Sequence, residues 1–127
     1  MGERVIMSRE ILFKAKRIDN GEWVEGQYVY ITNPLTEDGK PIKHLICNGT
    51  NIFNDLIDPD TLCQYTGLTD KNGKKIWEND LLGHKLNRVE FLNGTYCING
   101  DRSLFFEANT NEVIGNIFDN QEMLEVE

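Results

Sequence analysis

The chain is poor in the residues that usually carry chemistry. Its 127 residues include two histidines, three cysteines and three prolines. His44 and His84 are far apart in sequence, and the spacings of Cys47, Cys63 and Cys97 match no zinc pattern. An odd cysteine count makes an awkward disulfide framework, so three small apolar thiols in a reducing cytoplasm is the simpler reading. Positive charge is scarce too: 13 Lys and Arg stand against 21 Asp and Glu, a formal net charge of −8. Non-specific binding to nucleic acid or anionic membranes needs clustered cations, so this balance opposes it. No apolar run approaches the roughly 20 residues of a membrane helix. Residues 1–10 lack the apolar core of a secretory signal, and no glycine-rich phosphate loop is present. Neither cofactor nor metal is expected.

What the chain does have is turn chemistry. Six of its eleven glycines follow Asn or Asp: Gly21, Gly39, Gly49, Gly73, Gly94 and Gly100. Strand-like runs separate them, which is the spacing of an all-β, mainly antiparallel meander or small barrel. Residues 1–8 read as a flexible leader, with Met7 an alternative start, and residues 9–127 as one domain that could divide into two lobes near Leu62. Alternation over residues 11–16 predicts a strand. Aromatic and β-branched residues predict further strands over 23–31, 43–47, 80–82, 89–91, 95–98, 104–106 and 113–117. Residues 52–57 read as strand or loop. Asp58-Pro59 reads as an N-cap followed by proline at the first helical position, giving one helical turn, and Asp119 or Asn120 caps another. Trp23, Tyr28, Phe13, Leu68, Ile76, Val89, Phe91, Phe105, Val113 and Ile117 are the expected core.

The best-defined stretch is residues 64–80, QYTGLTDKNGKKIWEND. Asn72-Gly73 marks a tight hairpin. It should tie an N-terminal sheet to a C-terminal one. The neighbouring Lys71, Lys74 and Lys75 form a small cationic knob that reads as a solvated hairpin tip. Glu78 and Asp80 would share a face if the chain were extended, which could suit paired-carboxylate chemistry. The structural reading is that Asp80 accepts backbone N–H groups of the adjacent turn. A Cys–His pair of Cys63 or Cys97 with His84 is a second catalytic candidate, set against the plainer reading of buried thiols and a loop histidine. Asp55, Asp58 and Asp60 lack the spacing and glycine of a calcium loop.

Residues Gln64, Tyr65, Thr66, Gly67, Leu68, Asp70, Asn72, Gly73, Trp77, Glu78 and Asp80 closely resemble the signature of the YopX family. Asp58-Pro59-Asp60-Thr61 upstream, and Gly115-Asn116-Ile117 with Asn120-Gln121-Glu122 near the end, extend the likeness over most of residues 9–124. Cys63 and Asn79 stand where the pattern has glycine, and Gln121 stands where it has proline. The resemblance implies a small protein encoded by a bacteriophage or prophage and transfers no catalytic residue. The expectation is therefore a non-enzymatic, cytoplasmic binding or structural module that contacts a host or phage protein or self-associates. The alternatives are an acidic nucleic-acid mimic that inhibits a basic host protein, and a small enzyme using the Cys–His or carboxylate pair.

Overall fold

A computed structural model of the chain describes residues 10–31, 43–48, 55–83 and 87–124. The expected leader, the loop around Asp38-Gly39 and His84 lie outside these residues. The strands are β1 (Phe13–Lys16), β2 (Trp23–Ile31), β3 (Lys43–Cys47), β4 (Asp55–Leu56), β5 (Cys63–Thr69), β6 (Lys75–Trp77), β7 (Asp80–Leu82), β8 (Asn87–Leu92), β9 (Thr95–Ile98), β10 (Arg102–Ser103) and β11 (Val113–Asn116). Two four-residue helices, α1 (Leu104–Glu107) and α2 (Gln121–Leu124), join them. The fold is thus mainly antiparallel β, as the spacing of turns predicts. Among the described residues no helix is long and apolar enough to cross a membrane.

The strands form two sheets, ordered β4-β3-β2-β1-β5-β6 and β10-β9-β8-β7-β11. The chain passes from one to the other between Trp77 and Asp80. This leaves β6 and β11 as edge strands, one on each sheet.

Turn residues set these registers. Asn93 and Gly94 both take positive φ (54° and 82°) between Leu92 and Thr95, which face each other across β8 and β9. Such a two-residue turn matches the twist of the flanking strands. The Asn72-Gly73 hairpin is built differently. Gly73 has φ 82° while Asn72 stays outside the left-handed region. Gly73 N–H donates to Asp70 O (3.0 Å) and Asp70 N–H to Lys74 O (2.8 Å). The result is a three-residue loop ending in a left-handed glycine. The helical turn at Pro59–Thr61 forms as expected, with Asp58 Oδ1 accepting the Asp60 N–H at 3.0 Å.

Three apolar clusters result among the described residues. Ala15, Ile46 and Ile57 fill the N-terminal one, with Phe13, Val24 and Tyr28 against them. Ile76, Leu82, Val89, Ile98, Leu104, Ala108 and Val113 fill the C-terminal one, with Leu68 packed on it. Ile76 and Leu68 belong to the first sheet, so the central hairpin does plug one sheet into the core of the other. Cys63, Tyr65 and Trp77, with Leu12, Trp23 and Phe118, form the third.

Two expectations are corrected. Residues 104–106 are not a strand, because α1 buries Leu104 together with Ala108 four residues on, and these lie on one face of a helix. Phe105 and Phe106 then point outward, 69% and 77% exposed. Phe91 is not core either. It shares the face of Val89 but lies one pair from the Asn93-Gly94 turn, where the hairpin outruns the apolar cluster, and 49% of it is exposed.

Candidate functional site

The family-signature residues gather where the sheets meet, and their polar atoms bond both within the β5–β6 hairpin and between the sheets. Gln64 and Glu78 hold opposite each other: Gln64 N–H donates to Glu78 Oε1 at 2.9 Å, and Glu78 N–H donates to Gln64 O at 3.0 Å. The β5–β6 ladder shifts register between the Tyr65–Trp77 and Thr69–Lys75 pairs. Gly67, at φ 88°, occupies that irregularity. Thr66 Oγ1 donates to Ile76 O at 2.7 Å and accepts the Leu68 N–H at 3.2 Å.

Two buried carboxylates bridge the sheets in opposite directions. Asp70, 3% exposed, projects from the β5–β6 hairpin. Its Oδ1 accepts the N–H groups of Asn72 (2.8 Å) and Lys74 (2.9 Å), and its Oδ2 accepts that of Val113 in β11 at 2.9 Å. Burial alone would raise its pKa, but these three bonds and the nearby Lys74 outweigh it and hold the carboxyl below its usual value. Asp80, 2% exposed, reaches back from β7 and accepts the N–H of Trp77 in β6 at 2.8 Å. Here burial dominates. It pushes the carboxyl up to about 6 despite the Trp77 bond, Lys14 and Lys74. Each carboxylate caps an amide on the edge strand of the opposite sheet, which removes that donor from pairing with another chain.

The C-terminal part of the signature adds a third tie. Asn116 Oδ1 accepts the N–H groups of Phe118 (2.9 Å) and Asp119 (2.8 Å). Asp119 meets Lys16 at 2.5 Å and accepts from the Trp23 indole at 2.9 Å. Burial works against its ionised form, yet the bonds from Lys16, Trp23 and Asn116 prevail and hold it at about 2. Gly115 is needed for closeness: a Cβ there would lie 2.4 Å from Asn120 Oδ1, the atom that accepts the Asn116 N–H at 3.0 Å.

The expected role of Asp80 as a backbone acceptor is what the structure shows. Glu78 and Asp80 do not act as a pair, because Asn79 between them takes φ 71° and turns them to different partners. This left-handed residue stands where the family pattern has glycine, and asparagine tolerates the conformation better than most. Its side chain donates to Cys63 Sγ at 3.8 Å, so two of the chain's departures from the pattern touch each other. Cys63 also donates to Thr61 O at 3.3 Å, and burial raises its thiol to about 11. Gln121, the third departure, is the first residue of α2, the position where proline is favoured.

The three-lysine knob does not stay together. Lys71 lines a separate depression with Asn87 and Asn111. Lys74 and Lys75 instead line a groove of about 430 Å³ with Lys14, Trp23, Glu25, Trp77, Asp80 and Gly115. Lys14 stands directly across from Glu25 in the β1–β2 ladder. Its ammonium turns instead to the indoles, 4.5 Å from the Trp23 ring centre and 5.0 Å from that of Trp77. Sequence spacing could not show this groove, because it is assembled from β1, β2, β6 and β11.

Comparison with known proteins bears on the family and the fold. The model of the YopX protein family matches residues 12–125. No curated protein matches. The structure is similar to a crystal structure of protein EF1440 from Enterococcus faecalis, with a TM-score of 0.57 and 23% sequence identity. The match covers 92% of this chain and 99% of that one, and it speaks for the fold. Signature, fold and matched length agree: the chain belongs to the YopX protein family.

Proposed function

We propose that this chain is a non-enzymatic accessory protein of a bacteriophage or prophage, acting in the bacterial cytoplasm by holding a host or phage protein. The observation that carries this reading is the aromatic pair on α1. Phe105 and Phe106 pack edge to face, 5.2 Å between ring centres, yet are 69% and 77% exposed. Adjacent exposed aromatics suit an interface anchor. Burying each against a partner contributes on the order of 2–3 kcal/mol. The groups offered for catalysis support the same reading, since Asp80, Glu78, Cys63 and Cys97 all bond backbone atoms.

The nucleic-acid mimic is less well supported. A mimic needs free carboxylates in rows. Here Asp19, Asp119 and Glu107 are tied to Arg17, Lys16 and Arg102.

Affinity capture from infected or lysogenic cells, with wild type and a Phe105→Ala/Phe106→Ala variant, tests the proposal. One protein partner should be retained at high salt by wild type and lost by the variant. Capture of a basic protein that is released by salt and indifferent to the double substitution would favour the mimic. Recovery of the chain alone in a fixed oligomer would replace partner binding with self-assembly.

A further inference from the structure

We propose that the groove between β6 and β11 is a binding site for a small phosphate-bearing anion, using Lys14, Lys74 and Lys75. This goes beyond the protein contact at α1 and uses a different surface.

The first support is the state of the cations. Four of the described basic residues are ion-paired: Lys16 with Asp119, Arg17 with Asp19, Arg88 with Glu90 and Arg102 with Glu107. Among the described residues the three lysines of the groove have no such partner, although the chain carries 21 acidic residues. Lys14 is held instead by the faces of Trp23 and Trp77. A cation positioned by aromatic rings is fixed in place and keeps its charge available to an anion. Lys75 is similarly set over the Tyr65 ring, at 5.5 Å.

The second support is what the groove cannot take. Its walls include two sheet edges, which would ordinarily invite an added peptide strand. The amides of Trp77, Val113 and Asn116 are already taken by Asp80, Asp70 and Asn120. Recognition therefore falls to side chains. Lysine ammoniums are point donors, suited to converge on a phosphate, whereas a carboxylate is matched better by the arginine fork, and among the described residues no arginine lines the groove.

The third support is size against charge. A volume of about 430 Å³ suits a small molecule. A long polyanion would run from the groove onto a surface of net charge −8 and be repelled. A compact anion would meet the three lysines against the two carboxylates, Glu25 and Asp80, that also line the groove.

The test is titration of the full chain with inorganic phosphate and with a phosphate monoester such as glycerol 3-phosphate. The indole N–H signals of Trp23 and Trp77 are followed by NMR, with chloride at matched ionic strength as the reference. Saturable shifts of both indoles with phosphate or its monoester are expected. A Lys74→Gln/Lys75→Gln variant should bind roughly tenfold more weakly. Lys14→Arg should bind while Lys14→Gln should not. Lys74 is exposed and Lys75 half-buried, so that variant should fold even if changes at Lys14 do not. Shifts no larger than those with chloride, or shifts unchanged in the Lys74→Gln/Lys75→Gln variant, would overturn the proposal. So would binding of a phosphoserine peptide when phosphate and its monoester have no effect. Partner capture through Phe105 and Phe106 is read separately, so either idea can fail alone.

Discussion

Replacing Asp70 with alanine removes three backbone hydrogen bonds at one stroke, and their cost can be worked from their surroundings. A hydrogen bond to a charged acceptor contributes roughly 1.5–3 kcal/mol, and a buried donor left without one incurs its desolvation penalty. Asn72 and Lys74 are exposed, so water can replace the carboxylate there at small cost. Val113 is 9% exposed, and its N–H faces the vacated site from the other sheet. The sum is about 3–4 kcal/mol, a large share of the roughly 5–15 kcal/mol that stabilises a domain. In urea unfolding the midpoint should fall by about 2 M, for a slope of the usual size. Asp70→Asn is the sharper variant. Its single amide oxygen can serve either the hairpin or Val113, and its NH2 group must then face the remaining donor, so a loss of about 2 kcal/mol is expected. Asp101→Ala, at an exposed turn, should stay within about 0.5 kcal/mol of wild type. A midpoint for Asp70→Ala within about 0.5 M of wild type would refute the reasoning.

Asp80 should set the pH profile. Its folded pKa of about 6 lies above the ordinary 3.8, so the stability it contributes is complete below 3.8 and is lost as pH rises through 6. Asp70 and Asp119 are shifted down; their contributions are complete above 3.8 and are lost as pH falls through their folded values. Stability should therefore peak near pH 4, where the contributions of Asp70 and Asp119 are complete and that of Asp80 has only begun to fall. In Asp80→Asn the decline above that maximum, on the order of 2–3 kcal/mol, should vanish from urea midpoints taken between about pH 4 and 7. Persistence of that decline would reject the assignment. Gly115→Ala should cost about 1–3 kcal/mol by thermal unfolding, because the new methyl displaces Asn120 from the Asn116 amide. A neutral result would mean that α2 yields freely. With a thiol reagent at pH 8, half-buried Cys47 should react first. Cys63, buried and with a thiol raised to about 11, should react only on unfolding, as mass spectrometry of the labelled peptides would show.

Local rules carried far in this sequence where the controlling interaction is itself local. The Asn-Gly turns, the Asp58 cap and the bond from Trp77 to Asp80 all act within a few residues, so residue types at short spacing reveal them. The bond from Val113 to Asp70 spans 43 positions, and nothing in the periodicity marks it. Its only trace is that Asp70 belongs to the family signature. The segment at residues 104–106 was misleading for another reason. Three consecutive apolar residues fit a buried strand as well as a helical turn, and only contact with Ala108 decides between them. The groove was hidden because Lys14 and Lys75 become neighbours through strand order. Asn79 is intermediate: its place at a glycine of the family pattern was visible, while its left-handed φ and its contact with Cys63 needed the fold.

The central claim is that Asp70 and Asp80 clasp the two sheets into one cooperative unit, each holding an amide of the opposite edge strand. Native-state hydrogen exchange of the Trp77 and Val113 amides tests this most directly. These two amides, from different sheets, should exchange with the same opening free energy, close to that of global unfolding. In Asp70→Ala both should accelerate, with Val113 the more affected. Val113 and Trp77 opening independently in the wild-type chain, at free energies several kcal/mol apart, would contradict the account.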